Sequence, residues 1–172
     1  MTTREREDQI RLLPIETAFA WNIEGQEVLT KHGNAQSISF TDDEIVLLRG
    51  TIFTHNHPSG LKFPKSGPRS FGNSFSLADI RLACDVALTE LRAVTLKLRF
   101  SLKPPPAGWD SQYWQQVLEP IYLKRKFGVT QELLAAIKTG KLLKSVAESR
   151  HFHQICQRVA AEAGLYYQRE EN

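Results

Sequence analysis

Three consecutive prolines, Pro104 to Pro106, divide the 172-residue chain into two parts with different hydrophobic patterns. Because proline lacks a backbone N–H and fixes φ, a run of three ends any helix or inner strand that reaches it. Before the prolines, apolar residues alternate with polar ones over short segments, as is typical of strands. After them, from Trp109 to Tyr167, apolar residues recur at helical spacing. The sequence therefore predicts an α/β part followed by a helical part.

The first part is predicted to contain short strands and two helices. Five segments concentrate β-branched, aromatic or alternating apolar residues. These predicted strands are residues 16–23, 26–30, 37–40, 51–55 and 95–102. Two patterns with Ser or Thr followed three residues later by an acid, Thr41 to Glu44 and Ser76 to Asp79, predict helix starts. The second of these helices is expected to continue to Leu91.

The helical part is predicted to consist of three helices, at residues 111–124, 130–139 and 144–163. With about 60 residues, this part is expected to pack against the α/β part instead of folding alone. The predicted organisation is therefore a core of residues 14–103 and an all-helical C-terminal extension of residues 109–168 packed on that core.

Composition limits the class of protein. Hydrophobic residues make up 41% of the chain and charged residues 24%, which is ordinary globular usage and excludes wholesale disorder or a coiled-coil rod. The apolar runs fall short of the roughly 20 residues needed to cross a bilayer, so no membrane segment is expected. Two cysteines are too few for a disulfide scaffold. Together with a charged N-terminal segment that lacks a signal core, these features predict a cytoplasmic protein.

The net charge of +3 is small, but the charges are unevenly distributed. Two stretches, residues 45–78 and 91–109, contain no acidic side chain. The first stretch holds Lys62, Lys65 and Arg69. Either both stretches are solvated basic surfaces, or they flank one site that favours an acidic or carboxylate-bearing ligand.

The segment His55-Asn56-His57-Pro58 carries the strongest chemical signal in the sequence. Side chains two apart on a strand point to the same face, so the two imidazoles can converge on one ion at the end of the strand. Asp79, in the first turn of the following helix, could supply a third ligand and water a fourth, which is the open arrangement of a catalytic zinc. A lone His-x-His pair and a Ser-x-x-Asp cap are also common without any metal. The combination and order of these elements favour the metal site.

This arrangement resembles the motif of the JAMM (JAB/MPN) metalloprotease family. The pattern His-x-His-Pro, a loop and Ser-x-x-Asp is similar to the family's metal-binding signature, and His-Asn-His-Pro-Ser-Gly is most similar to its RadC-like bacterial branch. The family also has a glutamate on an early strand, which Glu16 matches, although Glu24, Glu27 and Glu44 are rivals. The resemblance covers residues 16–102 and implies a JAB/MPN-like mixed β-sheet flanked by helices.

The resemblance also implies a role for each matched residue. His55, His57 and Asp79 would bind Zn²⁺. Glu16 would act as the general base, and Ser76 would donate a hydrogen bond to the developing oxyanion. The implied reaction is hydrolysis of a peptide or isopeptide bond by a metal-activated water. The implied partner is a protein or peptide substrate, such as a ubiquitin-like protein or a phage- or toxin-associated protein.

The loop of residues 59–75, rich in Gly, Pro, Ser and Lys, is longer than the family's usual spacing. Insertions of this kind are tolerated thermodynamically, and long loops beside sites often act as lids. Residues 62–75 are therefore interpreted as a substrate gate, with Lys62, Lys65 and Arg69 as candidate substrate-binding residues.

Two other functions compete with this interpretation. A non-catalytic RadC-like module could bind DNA or a protein partner through the basic loop and through Lys97 and Arg99, expected on the exposed face of the last strand. A phosphate-ester hydrolase could use the same open metal site, although two-metal clusters are common in that chemistry. A second metal site at His151, His153 and Cys156 is disfavoured, because residues two apart on a helix face different ways.

Overall fold

Six strands form one mixed β-sheet in the computed structural model, which describes residues 2–172. The strands are β1 (Thr17–Trp21), β2 (Glu27–His32), β3 (Ile52–Asn56), β4 (Glu90–Val94), β5 (Leu98–Lys103) and β6 (Tyr166–Glu171). Their order is β2-β1-β3-β4-β5-β6, with β3 and β4 parallel and the other neighbours antiparallel. Because β3 and β4 are parallel, the chain between them must cross one face of the sheet.

Helices flank the sheet, so the predicted mixed α/β fold with further helices toward the C-terminus is confirmed. The helices are α1 (Thr3–Ile10), α2 (Asp42–Leu48), α3 (Leu77–Asp85), α4 (Ser111–Tyr113), α5 (Glu119–Lys138) and α6 (Lys144–Ala163). A π-helical segment, Trp114–Leu118, joins α4 to α5. None of the helices within residues 2–172 is both long and apolar enough to cross a membrane.

Alternation along the strands divides the core between the two faces of the sheet. Phe53, Leu91 and Phe100 point to one face and belong to a large cluster that includes residues of α3, α5 and α6. Phe19 and Trp21 point to the other face and pack with Ile10 of α1. The sheet is therefore the middle of three layers.

Helix α1 buries a carboxylate against its face of the sheet. Glu7 is fully buried and accepts hydrogen bonds from Arg92 at 2.7 Å, from Arg99 at 3.1 Å and from the Thr54 hydroxyl at 3.1 Å. Arg99 is itself only 2% exposed and also binds Asp8 at 2.6 Å. The prediction of an exposed basic face on this strand was therefore wrong, because the N-terminal residues form a helix that covers Arg99.

The predicted helix that begins at Ser76 is too long. Helix α3 ends at Asp85, and Leu91, expected on its apolar face, lies in β4. The chain leaves the helix through Ala87, whose φ of +48° is a left-handed conformation that glycine usually provides at helix ends. Because alanine occupies this position, the sequence contains no recognisable stop signal.

Two further expectations differ from the structure. Residues 37–40 are irregular instead of forming a strand. The helices predicted at 111–124 and 130–139 form one continuous helical stretch that passes through Gly128. The helix predicted at 144–163 is confirmed as α6.

The C-terminal region is not entirely helical, because β6 follows α6 and pairs with β5. The antiparallel register runs from Tyr166 opposite Lys103 to Glu171 opposite Leu98. Tyr167 is the one partly buried residue of β6, and the other five are exposed. The strand therefore lacks the apolar or β-branched pattern by which β1, β2, β3 and β5 were predicted.

Candidate metal centre

His55, His57 and Asp79 come together at the end of β3. The two Nε2 atoms are 2.7 Å apart, and carboxylate oxygens of Asp79 lie 3.4 Å from His55 Nε2 and 3.7 Å from His57 Nε2. Among residues 2–172, this is the one group of three or more His, Cys, Asp or Glu side chains arranged so that they could hold a metal ion. The three side chains could therefore bind a cation.

The end of β3 places both histidines. His55 is the next-to-last residue of the strand and is 3% exposed. His57 continues the pairing, since its N–H donates to the Val94 carbonyl of β4 at 2.9 Å, and Pro58 then opens a 3₁₀ turn. The site was expected at the end of this strand, and there the first histidine is buried.

A backbone carbonyl fixes the ring of His57. Its Nδ1 lies 2.9 Å from the carbonyl oxygen of Asn73, which can only accept, so Nδ1 carries the proton and Nε2 keeps a free lone pair. Burial lowers the pKa of His57, and the charge of His55 lowers it further. His57 is therefore in the neutral form that binds metals.

At His55 and Asp79, neighbouring charges shift the pKa in the direction opposite to the effect of burial. Burial alone would lower the pKa of His55, but the carboxylates of Asp79 and Glu16 raise it above its ordinary value. Burial would raise the pKa of Asp79, but His55, His57 and the hydrogen bond from the Ser76 backbone hold it well below its usual range. Asp79 is therefore ionised at neutral pH and available as a ligand.

The start of α3 orients the carboxylate of Asp79. Ser76 is the N-cap: its backbone N–H donates to Asp79 Oδ2 at 2.7 Å, and its hydroxyl accepts from the Asp79 N–H at 3.2 Å. The other oxygen, Oδ1, faces His55. The capping role and the ligand role are therefore compatible, because each uses a different oxygen of the carboxylate.

Glu16 and Ser76 line the same cleft as His57 and Asp79, a space of about 440 Å³. Glu16 immediately precedes β1. Burial raises the pKa of its carboxyl group; the charge of His55 opposes this shift, and that of Asp79 adds to it. Four of the five predicted site residues therefore line one cleft, and the buried His55 lies directly behind it, against His57 and Asp79. Glu16 is close enough to respond to the charges of His55 and Asp79.

The basic residues of the loop do not act as a group. Lys62 lines the cleft, whereas the exposed Lys65 does not. Arg69 points toward α6, where it pairs with Glu148 at 2.5 Å and lies over the ring of Phe63. Of the three candidate substrate-binding residues, the structure places Lys62 alone at the cleft.

Apart from the exposed residues 62–66, the loop is packed against the rest of the protein. At Gly60 a side chain would lie 2.7 Å from the Ser70 carbonyl oxygen, and at Gly72, where φ is +73°, it would lie 2.8 Å from Thr95. Thr95 also donates its hydroxyl hydrogen bond to the Phe71 carbonyl at 2.7 Å. These contacts hold the segment whose Asn73 carbonyl orients His57.

Several residues of the site were missed at the sequence level. A backbone carbonyl such as that of Asn73 has no sequence signal. Asn56 was given no role, although an asparagine inside a strand is unusual and could have drawn attention. The cleft also has lining residues that were not singled out: Ala35, Gln36, Ser37, Ile38, Ser59 and Phe152.

The histidines of α6 have separate partners. His151 Nε2 lies 2.9 Å from the Thr130 hydroxyl, and His153 Nδ1 lies 2.9 Å from the Tyr167 hydroxyl. Cys156 is buried, which raises the pKa of its thiol to about 12, and it donates to the Phe75 carbonyl. These side chains therefore serve packing instead of a second metal site.

Comparison with known proteins gives no match: no family model, no curated protein and no solved structure is similar to this chain at a significant level. Function is therefore inferred from the residues of the cleft.

Proposed function

We propose that the protein is a zinc-dependent hydrolase that cleaves a peptide or isopeptide bond. The observation that carries this proposal is the convergence of two imidazoles and one carboxylate at a cleft that a second, half-buried carboxylate, Glu16, also lines. Three protein ligands with an open fourth position are typical of catalytic zinc, whereas structural sites use four.

The donor set fits zinc. In a tetrahedral site with bonds near 2.1 Å, ligand atoms lie about 3.4 Å apart. The separation between Asp79 Oδ1 and His55 Nε2 already has this value, at 3.4 Å. His57 Nε2 lies 3.7 Å from the other oxygen, Oδ2, which accepts the hydrogen bond from the Ser76 N–H. The two histidine nitrogens, 2.7 Å apart, would have to separate by roughly 0.7 Å, a small rotation of the rings. Two imidazole nitrogens and one carboxylate oxygen are also donors that zinc accepts readily.

In this mechanism the zinc ion would lower the pKa of a coordinated water from 15.7 toward roughly 7. Glu16 takes a proton from the attacking water and later delivers it to the leaving amine, so that the water oxygen bonds to the carbonyl carbon as the C–N bond breaks. Burial raises the pKa of Glu16, which suits this exchange. A carboxylate with a raised pKa is a better proton acceptor, and it holds the accepted proton more readily near neutral pH. The Ser76 hydroxyl group donates a hydrogen bond to the developing oxyanion.

The lining of the cleft supports a peptide-like substrate. Lys62 lies at its edge and can pair with a carboxylate of the substrate, while Ile38 and Phe152 offer apolar contact. The basic strand face that a nucleic-acid module would use is instead covered by α1, with Arg99 paired to Glu7 and Asp8.

Glu16→Gln tests the proposal. Zinc-loaded wild-type protein is expected to hold one zinc and to cleave members of a panel of fluorogenic peptides and lysine-isopeptide conjugates. The variant should keep its zinc and lose at least about 100-fold in kcat, since general acid–base catalysis contributes about 10²- to 10⁴-fold. Zinc content is measured by mass spectrometry of the metal and hydrolysis by fluorescence.

Two matched controls accompany this experiment. Glu24→Gln changes an exposed glutamate in the turn after β1 and should leave hydrolysis unchanged. His32→Ala removes an exposed histidine of β2 and should leave zinc binding unchanged, whereas His57→Ala should abolish it. Zinc binding that survives His57→Ala at full strength would refute the proposed site.

A further inference from the structure

Asn56 lies between the two candidate metal-binding histidines in sequence, but its side chain points to the opposite face of the sheet from His55. It is fully buried, and its oxygen and both of its amide hydrogens bond to one short backbone segment. Its Oδ1 accepts from the Thr17 N–H at 2.6 Å, and its Nδ2 donates to the carbonyls of Leu13 at 3.1 Å and Ile15 at 3.0 Å.

These three contacts surround Glu16. Ile15 precedes it and Thr17 follows it, so the side chain of Asn56 holds the chain on both sides of the proposed general base. One acceptor and two donors are required at this position, and among side chains of this size only an amide provides them. An aspartate could serve the Thr17 N–H but would face two carbonyl oxygens with no proton to donate.

The hydrogen bonds of Asn56 hold a segment that lies just beyond the backbone hydrogen bonds between β1 and β3. The pairing between β1 and β3 begins at Ala18 opposite His55, one position beyond Thr17. On its other side, Glu16 is held by the hydrogen bonds of its backbone to Asn34 and Gly33, at 2.7 Å and 2.8 Å. On the β3 side the corresponding restraint on this segment comes from the Asn56 side chain.

We infer that Asn56 is a positioning residue that fixes Glu16 relative to the metal ligands, an inference that rests on the proposed function. Asn56 and His55 are adjacent on β3. The same piece of backbone therefore sets the positions of the proposed general base, Glu16, and of one candidate metal ligand, His55. A shift of about 1 Å in a positioned group can lower the rate by about 100-fold, so this restraint would be reflected in kcat.

The test compares Asn56→Ala and Asn56→Asp with the wild type. Both variants should still bind one zinc, lower kcat by about 100-fold and leave KM nearly unchanged. A second readout does not depend on hydrolysis: in protein loaded with cobalt, the pH midpoint of the visible spectrum reports the ionisation of water at the cation. Asn56→Ala should move this midpoint in the same direction as Glu16→Gln and by at least half as much.

Thr51→Val is the matched control. Thr51 immediately precedes β3, is buried, and donates its hydroxyl to the Leu48 carbonyl at 2.7 Å, away from the cleft. This variant should lose stability but retain both the kcat and the cobalt midpoint. If Asn56→Ala does not fold, Asn56→Asp, which keeps the bond to the Thr17 N–H, decides the outcome.

The outcomes separate the inference from the function on which it rests. Metal binding with a midpoint that responds to Glu16→Gln but not to the Asn56 variants would overturn the positioning role alone. A wild-type protein that binds neither zinc nor cobalt at this cleft would overturn both. Losses of stability equal to that of Thr51→Val, with unchanged kcat and midpoint, would show that Asn56 is merely structural.

Discussion

Ser76 can perform two tasks with one hydroxyl group. As the N-cap of α3, its oxygen accepts a hydrogen bond from the Asp79 N–H, and its own proton stays available for an acceptor in the cleft. Thr41 caps α2 in the same way, accepting from the Glu44 N–H at 3.3 Å, but it does not line the cleft. The two capping boxes therefore form a natural comparison between a purely structural cap and one beside the metal centre.

Ser76→Ala and Thr41→Ala should each lower the free energy of unfolding by about 1 kcal/mol, the usual effect of removing a cap. Under the proposed function, only Ser76→Ala should also lower kcat, by about 100-fold or more, because it removes a donor to the oxyanion. Urea denaturation and peptide hydrolysis measure the two effects. Equal kcat values for the two variants would contradict the catalytic role of Ser76.

At the scale of elements, the most consequential contact is that of α1 with the sheet. Two arginines from neighbouring strands, the half-buried Arg92 and the buried Arg99, meet one fully buried carboxylate, Glu7. Each arginine also pairs with a second, more exposed carboxylate. Buried pairs of this kind add little net stability when intact, but removing one partner leaves an uncompensated charge. Glu7 therefore holds α1 on the sheet, and water could not replace its contacts with the arginines if its charge were removed.

Glu7→Gln should lower the free energy of unfolding by about 3–5 kcal/mol, because Arg92 and Arg99 lose the charge that balances them. Arg4→Gln, on the same helix, breaks an exposed 3.7 Å pair with Glu170 and should cost less than about 1 kcal/mol. Chemical denaturation of both variants provides the measurement. A Glu7→Gln variant as stable as Arg4→Gln would show that the charge of Glu7 does not hold α1 on the sheet.

Elements with strong local signals could be predicted, and those fixed by distant contacts could not. Pro58 marks the C-terminal end of β3, and the cap at Ser76 marks the start of α3. The ligand set could therefore be proposed from local patterns. Strand β4 was missed because Ala87 ends α3 without a glycine. The covering of Arg99 and the ring orientation of His57 depend on contacts with residues far away in the sequence, for which the sequence contains no local pattern.

At the scale of the whole molecule, the core cluster crosses the boundary marked by the prolines. Leu91 and Phe100 of the sheet share one hydrophobic cluster with Trp114, Leu118 and residues of the long helices. Tyr167 of β6 adds a polar link, since its hydroxyl lies 2.8 Å from the Ser74 hydroxyl beside the cleft and 2.9 Å from His153. The sheet and the C-terminal elements therefore stabilise each other.

A fragment of residues 14–103 is expected not to fold by itself. It lacks Glu7, which balances the buried Arg99 and the half-buried Arg92. It also lacks the helices that cover Phe100 and the strand that pairs with β5. The full chain should unfold in a single cooperative transition followed by circular dichroism, and the fragment should show none. A well-dispersed NMR spectrum and a cooperative melt for the fragment would contradict this expectation.

The position of β6 has a consequence for the nascent polypeptide. The outer edge of β5 emerges from the ribosome many residues before its partner, and an unpaired edge can template association with other chains. Closing a contact between such distant segments is also slow. Translation thus delivers every candidate zinc ligand well before the segment that completes the sheet, and during this interval the outer edge of β5 is unpaired.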